Sequence, residues 1–404
     1  MQVQPPAPPA FDHGDPAAYY RALREMHGPV APVLLDGGVP AWLVLDYREV
    51  HHVAANPELF ARDPRRWHAF DRIPANWPLL PFVAPTSSVV FTEGAEHRRR
   101  SDAIAEVLAG VDQFELRLST ERAADAAIDR FAGAGRAELT AEYAELVPLR
   151  VMAGLFGLGE DEITGLEQDA AGPRDSGRDG ATAHDRTRAA MEALLERARR
   201  DPAAGADLPR RLLAHPAGLS DEEIVEDLML LMSSGRRPTA DWIGNTLRLM
   251  LTDDRFAITL SGGRRSVAQA LTEVLWTDTP TQNVIGRWAT RDTQLAGRHI
   301  RRGDCLVLGL AAANADPQVC PAATGAGFTS GATGNQAHLS FGHGAHGCPA
   351  PAPELAQIMA TAAVEVLLDR LPDLAPAVAT EELKWRPSLW QRGPAALPVV
   401  FTPL

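Results

Sequence analysis

The stretch over residues 337–353, AHLSFGHGAHGCPAPAP, constrains the chain more than any other. Inside it Phe341, Gly342, His343, Gly344, Ala345, His346, Gly347 and Cys348 make a glycine-punctuated loop that closes on one cysteine. Three glycines within six residues let the backbone turn tightly and approach a large flat object closely. A long helical pattern follows. A cysteine at the end of such a turn, near a helix start, is expected to have its thiolate favoured by backbone N–H groups and the helix dipole. The same spacing also fits a turn that ends in a buried structural thiol.

A thiolate presented this way suits haem iron as an axial ligand. The segment resembles the haem-binding loop of cytochromes P450, Phe-Gly-x-Gly-x-His/Arg-x-Cys, and matches every fixed position with Phe341, Gly342, Gly344, His346 and Cys348. The resemblance implies haem b (iron protoporphyrin IX) with Cys348 as the metal ligand. It also implies His97, Arg287, His338 and His346 as partners of the anionic haem propionates, which need cationic or hydrogen-bonding groups if buried.

The rest of the chain is compatible with that reading. It has 404 residues, 45% of them hydrophobic and 23% charged, the composition of an ordinary globular protein. A formal charge of −13 argues against general nucleic-acid binding, which needs a basic surface. Cys305, Cys320 and Cys348 are too few and too scattered for a disulfide framework or a zinc site. The opening MQVQPPAPPAFDHGDP has no basic region followed by an apolar run, so it is not expected to act as a signal peptide. No stretch reaches the apolar length that spans a bilayer. The expected setting is the cytoplasm, away from membranes.

Taken in order, residues 1–12 are a Pro-rich lead-in expected to be loosely ordered. A short helix is predicted from Asp15, then a hairpin around Asp36-Gly37-Gly38, then a helix from Tyr47 to about Asn56. Residues 62–92 lack periodicity but carry Trp67, Phe70, Trp77 and Phe82, and the resemblance makes this the loop covering the distal haem face; the alternative is a merely buried loop. Gly94-Ala95-Glu96-His97 opens a helix in which P450s place His-x-x-x-Arg. The Arg position here is Ser101. Arg99 or Arg100 could stand in, although one residue turns a helix by roughly a hundred degrees, or the three arginines 98–100 could form a solvated face. The polar run GPRDSGRDG at 172–180 is expected to be a mobile lid.

Ser220-Asp221-Glu222-Glu223 reads as a capping box that opens a long apolar helix. By position it is the P450 helix that crosses the distal haem face. The family pattern there is small-Gly-x-acid-Thr. This chain has Ser234-Gly235-Arg236-Arg237-Pro238-Thr239, so Arg237 takes the acid position and Pro238 the alcohol position. An arginine hardly deprotonates and cannot relay protons near neutral pH. Proline lacks a hydroxyl and is expected to kink the helix. Thr239 or Ser234 could supply a displaced hydroxyl. The Arg-Pro pair also resembles that of fatty-acid-hydroxylating P450 peroxygenases, in which the Arg holds a substrate carboxylate; the alternative is an Arg paired with a protein carboxylate or facing solvent.

Further departures lie behind the cysteine loop. The family's Glu-x-x-Arg is Glu273-Val274-Leu275-Trp276 here, and the later Arg before Phe328 is Gly327. The paired loss fits an indole filling space left by two guanidiniums. The resemblance nevertheless runs through the whole chain, with no repeat or second domain visible. It implies a single domain over 1–404, mainly α with small β-sheets near the N-terminus: the cytochrome P450 fold. The implied activity is monooxygenation of a small-molecule substrate in secondary metabolism, driven by a ferredoxin and ferredoxin reductase. Two alternatives are a hydrogen-peroxide-dependent peroxygenase using Arg237-Pro238, and a haem-binding scaffold with little oxygenase activity.

Overall fold

The computed structural model describes residues 16–74, 76–77, 79–171, 177–203, 205–257, 265–320 and 335–404. In chain order its elements are α1 (Pro16–His27), β1 (Val30–Leu35), β2 (Val39–Val44), α2 (Tyr47–Ala55), β3 (Phe60–Ala61), α3 (Gly94–Ala109), α4 (Gln113–Asp129) and β4 (Arg136–Glu138). Then come α5 (Leu146–Leu155), α6 (Glu160–Ala171), α7 (Gly177–Arg200), α8 (Leu208–Leu213), α9 (Asp221–Thr252), α10 (Asp254–Ala257) and α11 (Arg265–Thr277). The chain closes with β5 (Asn283–Ala289), β6 (Thr293–Leu295), β7 (Arg298–Ile300), β8 (Cys305–Gly309), α12 (Leu310–Asn314), α13 (Ala352–Arg370), β9 (Ala375–Pro376) and β10 (Pro398–Val400). They fall into two units. One holds the described residues of 1–99, 281–348 and 387–391, and the other those of 100–280, 349–386 and 392–404.

The first unit is built on a five-stranded sheet of order β1-β2-β8-β5-β3. The β1–β2 hairpin turns at Gly37 and Gly38, whose φ values of 71° and 77° suit glycine, and pairs Leu35 with Val39 through to Val30 with Val44. β2 then runs parallel to β8, and β8 antiparallel to β5. The sheets are thus not confined to the N-terminus: two of the five strands of this one, β5 and β8, come from residues 283–309. One face buries Tyr20, Leu43, Trp67, Trp77, Ile285, Trp288 and Val307 together. Trp67 and Trp77 are core residues, their ring centroids 5.8 Å apart, and Trp77 Nε1 donates to the Asp36 carbonyl at 2.7 Å. Of the aromatics expected to cover a ligand, these two anchor the loop to the sheet, whereas Phe82 is exposed.

The second unit is a helical assembly around α9. Its predicted capping box is formed: Ser220 Oγ accepts from Glu223 N–H, and the Glu223 carboxylate accepts from Ser220 N–H at 2.8 Å. Helices α5, α11 and α13 pack on α9, and α4 packs on both α5 and α13. Pro238 lies inside α9, which continues through it as one helix of 32 residues instead of breaking there. Trp276 and Glu273 are both buried on α11. Residues 1–12, Gly327 and 172–176 lie outside the described residues. The remainder of the expected lid, from Gly177, belongs to α7.

Candidate functional site

The loop over 341–348 is held from three sides by short, directional contacts. At its start, Asn314 at the end of α12 is fully buried; its Oδ1 accepts from Leu339 N–H at 2.7 Å and its Nδ2 donates to Ser340 Oγ at 3.1 Å. Within the loop, Gly347 N–H donates to the Gly344 carbonyl at 3.0 Å and Cys348 N–H to the Phe341 carbonyl at 2.8 Å. Gly342 and Gly344 have φ values of 74° and 70°. At Gly344 the need for glycine is double, because a Cβ there would sit 2.4 Å from the Ala54 carbonyl oxygen of α2. The ring of His343 stacks on His51 of α2 with centroids 3.8 Å apart. From the third side, His97 Nε2 on α3 donates to the Ala345 carbonyl at 2.8 Å, and its ring lies 3.9 Å from that of His346.

Beneath this loop the sheet supplies charge. β5 carries a bulge between Ile285 and Arg287, where Gly286 adopts φ 100°. The bulge leaves Arg287 buried at 3% exposure, with Nε and Nη1 lacking any hydrogen-bond partner among the described residues. Burial, and next the neighbouring Arg62, bring its pKa down to about 9. His346 Nδ1 is likewise buried without a partner. Burial, then the charges of Arg287, His97 and Arg62, hold that imidazole neutral far below its ordinary range. His338 is pushed down to about 4 by burial, and its ring lies 5.9 Å from Phe341. Buried donors left without acceptors cost about 1–3 kcal/mol each, so this cluster fits an anionic group bearing several acceptor oxygens. A haem with two propionates is such a group.

Cys348 differs from the sequence expectation. The residue is exposed, yet protein atoms crowd its thiol, and that burial pushes it up to about 11, away from thiolate. The helix after it starts only at Ala352. The fold alone therefore does not ionise the sulfur; a coordinated metal ion would.

The other predicted residues lie on α9 in the second unit. Arg237 Nη1 is 3.4 Å from Glu145 Oε1, and its Nε is 3.6 Å from Asp241 Oδ2, one turn along the helix. Arg386 Nη2 donates to both oxygens of Asp241 at 2.9 and 2.7 Å. Desolvation raises the Asp241 pKa, against the pull of Arg386 and Arg237. Gly393 completes the arrangement, since a Cβ there would lie 2.2 Å from Asp241 Oδ1. Ser234 Oγ donates to the Leu230 carbonyl and Thr239 Oγ1 to the Gly235 carbonyl, each at 2.7 Å. Gly235 faces Met152, whose Cε would be 2.7 Å from a Cβ. Pro238 removes the N–H that the Ser234 carbonyl would otherwise accept.

The roles of two arginines escaped the sequence reading. Arg100 is neither a propionate donor nor part of a solvated face: it is 1% exposed and bonds Asp227 through Nη2 at 2.5 Å and Nε at 3.1 Å. The signal was the acidic pair Glu226-Asp227 set among the apolar residues Ile224, Val225 and Leu228 of α9. Arg62, buried beside Arg287, had no motif to announce it.

No family model matches the chain. Curated relatives do. The chain is 30% identical over 403 residues to 2-hydroxy-5-methyl-1-naphthoate 7-hydroxylase from Streptomyces carzinostaticus, covering 96% of this chain and 95% of that protein. It is 28% identical to mycinamicin IV hydroxylase/epoxidase from Micromonospora griseorubida, covering 95% of each. Among solved structures, CYP154C4 from Streptomyces sp. W2061 superposes with a TM-score of 0.84 at 26% identity over 98% of both chains. No helix among the described residues is long and apolar enough to cross a membrane. The chain belongs to the cytochrome P450 family, of its bacterial kind, and is a monooxygenase with a haem-iron cofactor.

Proposed function

We propose that this P450 oxidises a small organic molecule of secondary metabolism in the cytoplasm, on a b-type haem ligated by Cys348. The observation that carries the reading is the coincidence of the cysteine loop with a buried group of unused polar nitrogens, the donors Nε and Nη1 of Arg287 and Nδ1 of His346. In this reading those donors and His338 take the propionates. His97, whose Nε2 is committed to Ala345, clamps the loop. Gly342 and Gly344 let the backbone lie close to the macrocycle, and Phe341 closes the turn through its carbonyl. Once bound, thiolate-ligated haem supplies an electron-rich iron that favours O–O bond cleavage. Cys348 must surrender its proton on binding, so haem uptake releases a proton from this residue.

Electrons from a ferredoxin and its reductase, rather than peroxide alone, are the drive we assign. The support is Arg237: with Glu145 and Asp241 within 4 Å of it, the guanidinium balances protein carboxylates and is not set aside for a substrate carboxylate. Proton handling then falls to Thr239, one residue beyond the family's alcohol, whose bond to the Gly235 carbonyl must swing for a proton to pass. Ser234 sits on an exposed position and is the weaker candidate. The named relatives are hydroxylases, which favours a catalyst over a haem-binding scaffold.

The experiment is a carbon-monoxide difference spectrum of the reduced holoenzyme, followed by turnover of aromatic and macrolide substrates with ferredoxin and reductase or with hydrogen peroxide. A thiolate spectrum and reductase-dependent turnover are expected. Peroxide-only turnover would transfer the assignment to a peroxygenase. Purification without haem would end it.

A further inference from the structure

Arg62 is buried to 7% exposure, and among the described residues its hydrogen bonds go to backbone carbonyls. Its Nη1 donates to the carbonyls of Ile285 at 2.7 Å and Gly286 at 2.9 Å, and its Nε to that of Val90 at 3.4 Å. The Ile285 and Gly286 carbonyls flank the β5 bulge that presents Arg287. Gly286 is tied to the arrangement, because a Cβ there would lie 3.0 Å from Arg62 Nη1 and 3.0 Å from the Trp288 ring. The nearby ionisable group of opposite sign is the Cys305 thiol, which burial raises to about 12 and so keeps neutral. Two guanidiniums are therefore buried side by side without a carboxylate partner among the described residues. Burying even one unpaired charge is costly, and two of like sign repel as well. Such a pair persists where something else supplies the negative charge.

We propose that Arg62 is a positioning residue for the haem: it pins the bulge that aims Arg287, and with Arg287 it makes a two-cation well matched to a prosthetic group bearing two carboxylates. The inference rests on the haem reading above. Its consequence is twofold. Arg62 slows haem loss, and its positive charge favours ferrous over ferric iron, raising the midpoint potential.

The test compares purified holoenzymes of the wild type, Arg62→Lys and Arg62→Gln by haem transfer to apomyoglobin, by spectroelectrochemical midpoint and by thermal unfolding. Gln keeps an amide donor on a shorter stem but carries no charge, whereas Lys keeps the charge with fewer donors in fixed geometry. The Gln variant is expected to lose haem about tenfold faster and to shift its one-electron midpoint downward by about 59 mV, the equivalent of a tenfold change in equilibrium. The Lys variant should lose haem within about threefold of the wild-type rate and keep its midpoint close to that of the wild type. Equal impairment of both variants, in step with their thermal midpoints, would reduce Arg62 to a structural pin and overturn the proposal. A Gln variant indistinguishable from wild type, or failure of both variants to take up haem, would overturn it too. Failure of the haem reading itself is distinguishable, since the wild type would then lack the cofactor.

Discussion

Arg100 and Arg237 answer to different carboxylates, and the difference sets what each can be expected to do. Arg100 forms a two-point pair with Asp227 in which both side chains are out of solvent, 1% and 0% exposed. Removing one partner leaves a buried charge, at a cost of about 3–5 kcal/mol. Arg100→Met should therefore lower the urea midpoint sharply, and so should Asp227→Leu. The double variant should recover most of the loss, because two apolar groups of similar size do not need each other's charge. Chemical denaturation of all three holoenzymes measures this, and a double variant no better than the singles would refute it. Gly344→Ala is the companion test on the loop: φ 70° and a 2.4 Å approach to Ala54 leave no room. It should cost about 2 kcal/mol or more, and the variant should purify with depleted haem. The sequence located both arginines but not their partners. Charge identity is local, whereas the choice between solvent, propionate and carboxylate depends on which helix face is covered. The Arg100 face meets Asp227 at a separation of 127 residues, which no local pattern reports.

At the scale of elements, the cysteine loop illustrates what a motif does and does not determine. Its glycine positions were legible because positive φ restricts the residue types that can occupy them. The ionisation of Cys348 was not, since the start of α13 at Ala352 and the burial of the thiol are properties of the surroundings. The same burial makes a pH prediction. His338 has its pKa held at about 4, against 6.5 when exposed. A histidine depressed in the folded state stabilises the fold fully above 6.5 and loses that contribution as pH falls from 6.5 toward 4. The unfolding midpoint of the apoprotein should accordingly drop across that window, and His338→Asn should flatten the slope there. A slope untouched by the substitution would place the acid sensitivity elsewhere. In α9 the lesson is complementary. Pro238 did not interrupt the helix, because 17 of its 32 residues are buried and tertiary packing outweighs one missing hydrogen bond.

Over the whole molecule, buried charge is distributed unequally between the two units. In the second, Arg100 answers Asp227, and Arg237 and Arg386 answer Glu145 and Asp241, so these clusters are internally balanced. In the first, Arg62 and Arg287 lack a carboxylate partner among the described residues and have depressed pKa values of about 10 and 9. Helices and the hairpin were readable from periodicity and turn residues, and the cofactor motif from its resemblance to the P450 cysteine loop. This imbalance was not, since it emerges only when strands from distant segments bring residues 62 and 287 together. It predicts how the protein responds to losing haem. A ligand that binds only the native state stabilises it in proportion to its affinity, and here the stabilising anion serves one unit's cations. Hydrogen exchange on matched holo and apo samples should then show the large loss of protection in β5 and in residues 336–348. The Asp227 and Asp241 segments of α9 should change little by comparison. Uniform loss across both units would mean that the charge imbalance does not govern apoprotein stability. Loss confined to α9 would contradict the assignment of Arg62 and Arg287 as the cofactor's counter-charge.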